Sequence, residues 1–317
     1  MNFGARLAVL MASSIMANQL VQAASAQGDD KQKIKEVVVA ERANARVGDV
    51  RSISSNGETF YEVEFREDGR DYEAIVSESG VITSINQEKY SQLIIGAGVS
   101  YETDFYKDQK AGFGPMPLIY GELGRLWFRG TKIGFDVYKG NYFTISPIFE
   151  PNLDGYDANS VKNNSSLYDG LADRGTAFDL GAEISFDAGW ADISLAGQYD
   201  ISGKSKGTTV DFRVAKNFHL TESFMVIPAL NATWSDKKFN QYYYGVDKEF
   251  ETDFRAAYQA KSGVSFEGSV VGVWDVTDRW KVLGRVAYNS YTNAVKDSPL
   301  VDKSGQFSAA FGIGYAF

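Results

Sequence analysis

The sequence predicts an all-β protein: an antiparallel transmembrane β-barrel of about twelve strands, preceded by a small α+β domain. Three observations carry this fold class. Beyond residue 90, segment after segment alternates strictly between apolar and polar side chains, and the polar face bears charges. Tight turns and long polar loops alternate between those segments. The last segment sets an aromatic or aliphatic residue at every second position up to Phe317.

In chain order, the first element is an export signal over residues 1–26. Arg6 precedes an apolar stretch from Leu7 to Met16, and Ala24-Ser25-Ala26 offers the small residues that a signal peptidase reads, so cleavage is expected before Gln27. The stretch is shorter than the ~20 apolar residues of a spanning helix, and no later run is long enough either. Any crossing of a membrane must therefore be made by strands.

Residues 27–90 are charged and poor in aromatics. They read as a helix over Lys31–Arg46, strands near Val50–Ser54, Phe60–Arg66 and Asp71–Val76, and a fourth over Val81–Ile85. Asn56-Gly57 and Asp68-Gly69 supply hairpin turns. Alternation of Phe60, Tyr61, Val63 and Phe65 with acids fits a sheet with one wet face.

Residues 91–317 carry the barrel. From Thr176 to Asp187, Phe178, Leu180, Ala182, Ile184 and Phe186 share one parity and Asp179, Glu183, Ser185 and Asp187 the other. Successive side chains of a strand point to opposite faces, so this strand meets two different solvents. The same division sets Ile193, Leu195 and Tyr199 against Asp192, Gln198 and Asp200, and Val210, Phe212 and Val214 against Asp211 and Arg213. It recurs where Ile95, Val99 and Tyr101 oppose Ser100 and Glu102, and where Val282, Val286 and Tyr288 oppose Lys281 and Arg285. A soluble sandwich alternates too, but its strands run ~5 to 6 residues, whereas several of these reach the ~10 of a tilted transmembrane strand.

Turns near Ala188-Gly189, Leu220-Thr221 and Thr277-Asp278 are tight, while 106–114, 151–173, 236–257 and 292–304 are long and polar, the asymmetry of an outer-membrane barrel. If the short segments Leu126–Arg129 and Ile133–Tyr138 merge, the count falls to ten. Trp127, Trp190, Trp234, Trp274 and Trp280 fall near strand ends, where interfacial girdles sit, although Trp190 has the polar parity of its strand. Phe307, Phe311, Ile313, Tyr315 and Phe317 share one parity of the final strand, the pattern expected of a segment read by the outer-membrane assembly machinery.

Composition narrows the chemistry. The 317 residues include no cysteine and one histidine, and 41 acidic against 32 basic side chains give a net charge of −9. Disulfides, thiolate nucleophiles and multi-histidine metal sites are excluded, nucleic acid is an improbable partner, and no cofactor is expected. Gly96-Ala97-Gly98 and Gly112-Phe113-Gly114 lack the strand-loop-helix setting of a dinucleotide fingerprint. His219 has no serine placed beside it by sequence, so no enzyme is predicted.

Nine charged residues are expected to face the lumen: Glu102, Asp179, Glu183, Asp192, Asp211, Arg213, Glu267, Lys281 and Arg285. At about twelve strands that lumen is narrower than a sixteen-stranded porin channel. If the charges pair across it, the barrel is a plugged platform. If acids dominate one wall, it passes small polar or cationic solutes.

Two resemblances add to this reading. The run Gly57-Glu58-Thr59-Phe60-Tyr61-Glu62-Val63, followed by Asp68-Gly69-Arg70-Asp71-Tyr72-Glu73 and Ser79-Gly80-Val81-Ile82, resembles PepSY-like periplasmic domains. Three later stretches resemble the MltA-interacting protein (MipA)/OmpV family of outer-membrane proteins: Leu171 to Phe178 with Asp173 and Arg174, Tyr242 to Val246 with Tyr243, Tyr244 and Gly245, and Asp297-Ser298-Pro299-Leu300-Val301-Asp302 leading into Gly312 to Phe317. That resemblance covers roughly residues 91–317 and implies a barrel in the outer-membrane lipid bilayer; both the amino-terminal domain and the C-terminus are expected to face the periplasm. It further implies a scaffold that brings a murein hydrolase together with a murein synthase. The motif residues themselves fall in or beside long loops, where such residues more often order the loop than bind a ligand.

Overall fold

The computed structural model describes residues 30–317 apart from 56, 68–69, 88–92, 110, 160–165, 222 and 278. The expected signal peptide and its cleavage site lie outside the described residues, as do Asn56, Asp68-Gly69 and Asp278 of three expected turns. The chain divides into two compact units, Met1–Glu88 and Lys89–Phe317.

In the first unit, helix α1 (residues 30–41) lays Ile34 and Val38, four apart and so on one face, onto an antiparallel sheet. The sheet has the order β1 (Arg46–Ser55), β2 (Glu58–Glu67), β3 (Arg70–Ser77), β4 (Ile82–Gln87). Val50, Tyr61, Val63, Phe65, Ala74 and Val76 complete its core. The helix stops short of the expected Arg46. Asn44 sits in a turn, and Arg46 and Val47 are drawn into β1 by pairing with Arg66 and Phe65.

The second unit is a closed antiparallel barrel. Its strands are β5 (Leu93–Glu102), β6 (Gly112–Leu123), β7 (Leu126–Arg129), β8 (Lys132–Phe135), β9 (Tyr138–Lys139), β10 (Phe143–Asn152), β11 (Ala177–Asp187), β12 (Asp192–Asp200), β13 (Thr208–Ala215), β14 (Phe218–Thr221), β15 (Phe224–Ser235), β16 (Gly263–Asp275), β17 (Trp280–Tyr291) and β18 (Gly305–Ala316). Neighbouring strands pair antiparallel all round the ring, and β18 closes on β5. β8 and β9 pair in turn with β10, and β13 and β14 in turn with β15, so each couple is one broken strand and the ring has twelve members. The short segments do not merge into one.

Proline placement explains the breaks, since a proline nitrogen cannot donate to a ladder. Pro228 turns its backbone toward the break between β13 and β14, where its carbonyl accepts from Lys216 N at 3.2 Å. Pro147 faces the break between β8 and β9. At the closing seam, a Cβ on Gly96 would lie 2.0 Å from the Ile313 carbonyl oxygen and one on Gly98 2.3 Å from that of Phe311. Glycine is what lets β5 and β18 meet that closely.

The two faces of the wall are inverted relative to a soluble protein. Outward Leu230 is 69% exposed, while inward Glu183 is 4% exposed. An exterior so apolar requires hydrocarbon rather than water around it. Outward aromatics gather at the loop end (Tyr101, Phe178, Trp234, Phe266) and at the end holding the start of β5 and the finish of β18 (Trp274, Trp280, Tyr315), here the terminus end. Trp190 lies exposed in the turn between β11 and β12.

Trp127 is a correction: it is 3% exposed and points inward, not into a girdle. Its indole Nε1 donates to Asp136 Oδ1 at 2.9 Å, and its ring lies over Gly134, where a Cβ would come within 2.1 Å. An inward indole needs a buried acceptor, and Asp136 supplies it.

Candidate functional site in the barrel lumen

All nine sequence-chosen charges have the inward parity of their strands, and the interior they share is layered. Toward the terminus end it is apolar. Ile94, Leu118, Leu283 and Ala316 form one cluster with Met116 and Val273 against it, and Ala215, Ile227 and Ala229 form another. Lys281 Nζ lies 2.8 Å from Asp275, beside the β16–β17 turn, and Asp192 opens β12 at the same end as an exposed residue.

Midway up, cations and acids pair. Arg129 reaches Glu183 at 2.9 Å, Lys132 reaches Glu150 at 3.3 Å, and Arg285 reaches Glu267 at 2.5 Å, with Asn231 also donating to Glu267. Arg213 lies across from Asn231 and Ser194. Sequence reading missed Arg129 and Lys132 because β7 and β8 have four residues each, and Glu150 because the run Pro147-Ile148-Phe149 breaks the alternation of β10.

Nearer the loops, acids prevail. Asp179 is held by Asn152 at 3.5 Å, Asp211 accepts from Thr233 Oγ1 at 2.6 Å, and Glu102 ends β5 opposite Ser308. Asp154, just past β10, joins them. Its side chain is not sealed off, but the protein crowded around it and the carboxylates of Glu102, Asp179, Glu150 and Asp211 push its carboxyl up to about 6.

Above this zone the long loops make a cap. They were expected to be polar; instead they hold a cluster of Phe105, Tyr106, Tyr156, Leu167, Tyr168, Leu171, Phe239, Tyr243, Tyr244, Val246, Val295, Leu300 and Val301. Two short helices, α2 (Lys237–Tyr244) and α3 (Asn293–Lys296), form within them. Asp236 caps α2 by accepting from Phe239 N at 2.8 Å. The β5–β6, β10–β11 and β15–β16 loops are rooted four strands apart around the ring, yet they touch pairwise. Tyr106 packs on Tyr156 at 5.2 Å and on Tyr244 at 6.0 Å, and Arg174 Nε donates to the Tyr242 carbonyl at 2.8 Å. Loops so placed can meet only by crossing the mouth of the barrel.

The family-like residues sit in this cap. Ser298 Oγ donates to the Tyr244 carbonyl at 2.6 Å and accepts from Leu300 N at 3.1 Å, which sets the turn of Asp297, Ser298 and Pro299 against α2. Tyr243 is fully buried, and Gly245 ends the helix by donating to the Gln241 carbonyl at 3.0 Å. Asp173 and Arg174 order the loops through separate contacts: Asp173 accepts from Ala158 N at 2.8 Å, while Arg174 stacks on the Tyr242 ring at 4.7 Å. Their side chains serve two different loop contacts, which leaves no common partner.

Arg255, which no sequence feature marked, ties the cap together. It is 1% exposed and donates to the carbonyls of Leu167 at 2.5 Å, Phe250 at 2.9 Å and Asp169 at 3.2 Å. Burial lowers its pKa. Burial also raises the hydroxyls of Tyr106, Tyr243 and Tyr244, and Asp154 adds to each shift, which sets that carboxylate just under the cap.

A closed antiparallel ring with an apolar, aromatic-edged exterior and a charged interior defines a transmembrane β-barrel of the outer-membrane class. The family described as MltA-interacting protein MipA matches residues 95–317, and the chain belongs to that family. Outer membrane protein OmpV of Vibrio cholerae is 28% identical over 69% of this chain and 84% of its own length. The MltA-interacting protein of Escherichia coli is 27% identical over 70% of this chain and 89% of its own. A 24 kDa outer membrane protein of Pasteurella multocida is 24% identical over 71% and 90%.

Proposed function

We propose that this protein is an outer-membrane platform that holds peptidoglycan-remodelling enzymes near their substrate, with its amino-terminal domain and C-terminus on the periplasmic side. The observation that carries the reading is the lumen, where buried apolar clusters, ion pairs and the loop cap follow one another along the axis. A barrel lined and capped in this way has its surfaces, rather than a channel, to offer. A relative named for interaction with MltA supports a protein partner, and the resemblance implies a murein hydrolase joined by a murein synthase. The first unit, PepSY-like by its turn pattern, supplies surface on the side where those enzymes work. The reading gives the chain no catalytic step. Phe307, Phe311, Ile313, Tyr315 and Phe317 act earlier, as the strand that the assembly machinery reads.

A second reading, a narrow path for small cations, is favoured by the acids under the cap. The test of the platform is capture of the tagged, folded barrel from envelopes after reversible crosslinking. Recovery of a lytic transglycosylase above the level seen with an unrelated barrel is the expected result. A folded barrel that brings down no murein enzyme sinks the platform.

A further inference from the structure

We propose that the wall above the β7–β8 hairpin is a lateral window through which the acyl chain of a membrane lipid reaches the lumen. The hairpin is too short for its place in the ring. β7 pairs with β6 only from Tyr120 to Leu123, and β8 pairs with β10 no further than Phe149. Among the described residues, nothing pairs with β6 from Gly112 to Leu118 on the side away from β5, nor with Pro151 and Asn152 of β10 on the side away from β11.

The window is framed all round. Its sill is the turn from Arg129 to Lys132. Its lintel is the junction of the two flanking loops, where Tyr168 Oη donates to the Lys107 carbonyl at 2.8 Å and Gln109 Nε2 to that of Asp157 at 3.0 Å. The jambs are β6 and β10.

The backbone of the jambs selects the occupant. Ile119 O accepts from Gly130 N at 3.0 Å, so the odd-numbered groups of β6 face the gap. Those are Phe113, Pro115 and Pro117, and two of the three have no N–H. On β10, Ile145 O accepts from Val137 N at 3.0 Å, so Pro151 faces the gap in the same way. Open sheet edges attract strands through unpaired donors and acceptors, and proline removes the donors. A peptide strand is thereby disfavoured, and hydrocarbon in the gap leaves fewer backbone groups without a partner than it would along an edge that kept its donors.

Side chains continue the argument. Outward Phe113 is 81% exposed and packs on Tyr101 at 4.7 Å, so the jamb is continuous with the lipid-facing surface. On the inner side, Gly112 has nothing within 4 Å of a would-be Cβ, and at Gly114 the nearest atom is Ser100 Oγ at 3.7 Å. A chain entering there meets Met116 and Leu118, and through them the apolar cluster at the terminus end.

The test reconstitutes the full mature chain into vesicles of phosphatidylcholine bearing a diazirine near the end of one acyl chain. After illumination, adducts are mapped by mass spectrometry. Adducts on inward Met116 beside those on outward Phe311 are expected. The double variant Gly112→Phe/Gly114→Phe fills the window and should lose the Met116 adducts while keeping those on Phe311. Ser269→Phe, of similar bulk on the far wall, should keep both and controls for folding. Labelling of Phe311 without Met116 in the unmodified chain, or Met116 labelling unchanged in the filled variant, overturns the proposal.

Discussion

Asp154 is one residue whose environment makes a prediction about pH. A carboxyl held at about 6 against an ordinary 3.8 binds its proton more tightly in the folded cap than in a released loop. Stability contributed by that proton is present at low pH and is lost as pH rises between those two values. Amide exchange in the β5–β6 and β15–β16 loops, corrected for its intrinsic pH dependence, should therefore be better protected at pH 5 than at pH 7. Asp154→Asn should keep the better protection at both values. Persistence of the pH difference in that variant would assign the effect to another group. At the same scale, Trp127 shows where a place near a strand end misleads. A four-residue strand gives too few positions to establish an alternation, and the deciding fact, a buried acceptor at Asp136, comes from the break between β8 and β9.

At the scale of elements, the cap is held by contacts that no single loop could make. Arg255→Ala would leave the carbonyls of Leu167, Asp169 and Phe250 without their donor inside an apolar cluster, at a cost of about 3 kcal/mol. Exchange protection in the β10–β11 and β15–β16 loops should fall by about 100-fold, with the barrel strands unchanged. Equal loss in the strands would mean that the cap and barrel unfold as one unit. The strands were legible in the sequence because their period of two is imposed by the wall itself. The cap was not. Tyr106, Tyr156, Tyr168 and Phe239 lie far apart in sequence with no common period, and only closure of the ring brings them together. The aromatic content of those loops was the available signal, since solvated loops have no use for so many rings. The prolines carried a signal the sequence reading did not use: Pro115, Pro117, Pro147, Pro151 and Pro228 all turn to a gap or break in the ladder.

For the whole molecule, the order of layers along the axis decides what the barrel can conduct. A pore closed by one gate opens when that gate is removed. Here the cap lies at one end, while the clusters around Leu283 and Ile227 lie toward the other, and ion pairs such as Arg285–Glu267 stand between. Ions crossing that path would need charged groups desolvated or pairs broken, at several kcal/mol each in a low-dielectric interior. The unmodified chain in a planar bilayer should therefore be electrically silent, and loosening the cap by Arg255→Ala should leave it silent. Discrete cation-selective steps from the unmodified chain would overturn the platform reading and make the acids beside Asp154 part of a conduction path. Steps from Arg255→Ala alone would make the cap the gate of such a path, with the apolar clusters no barrier to it.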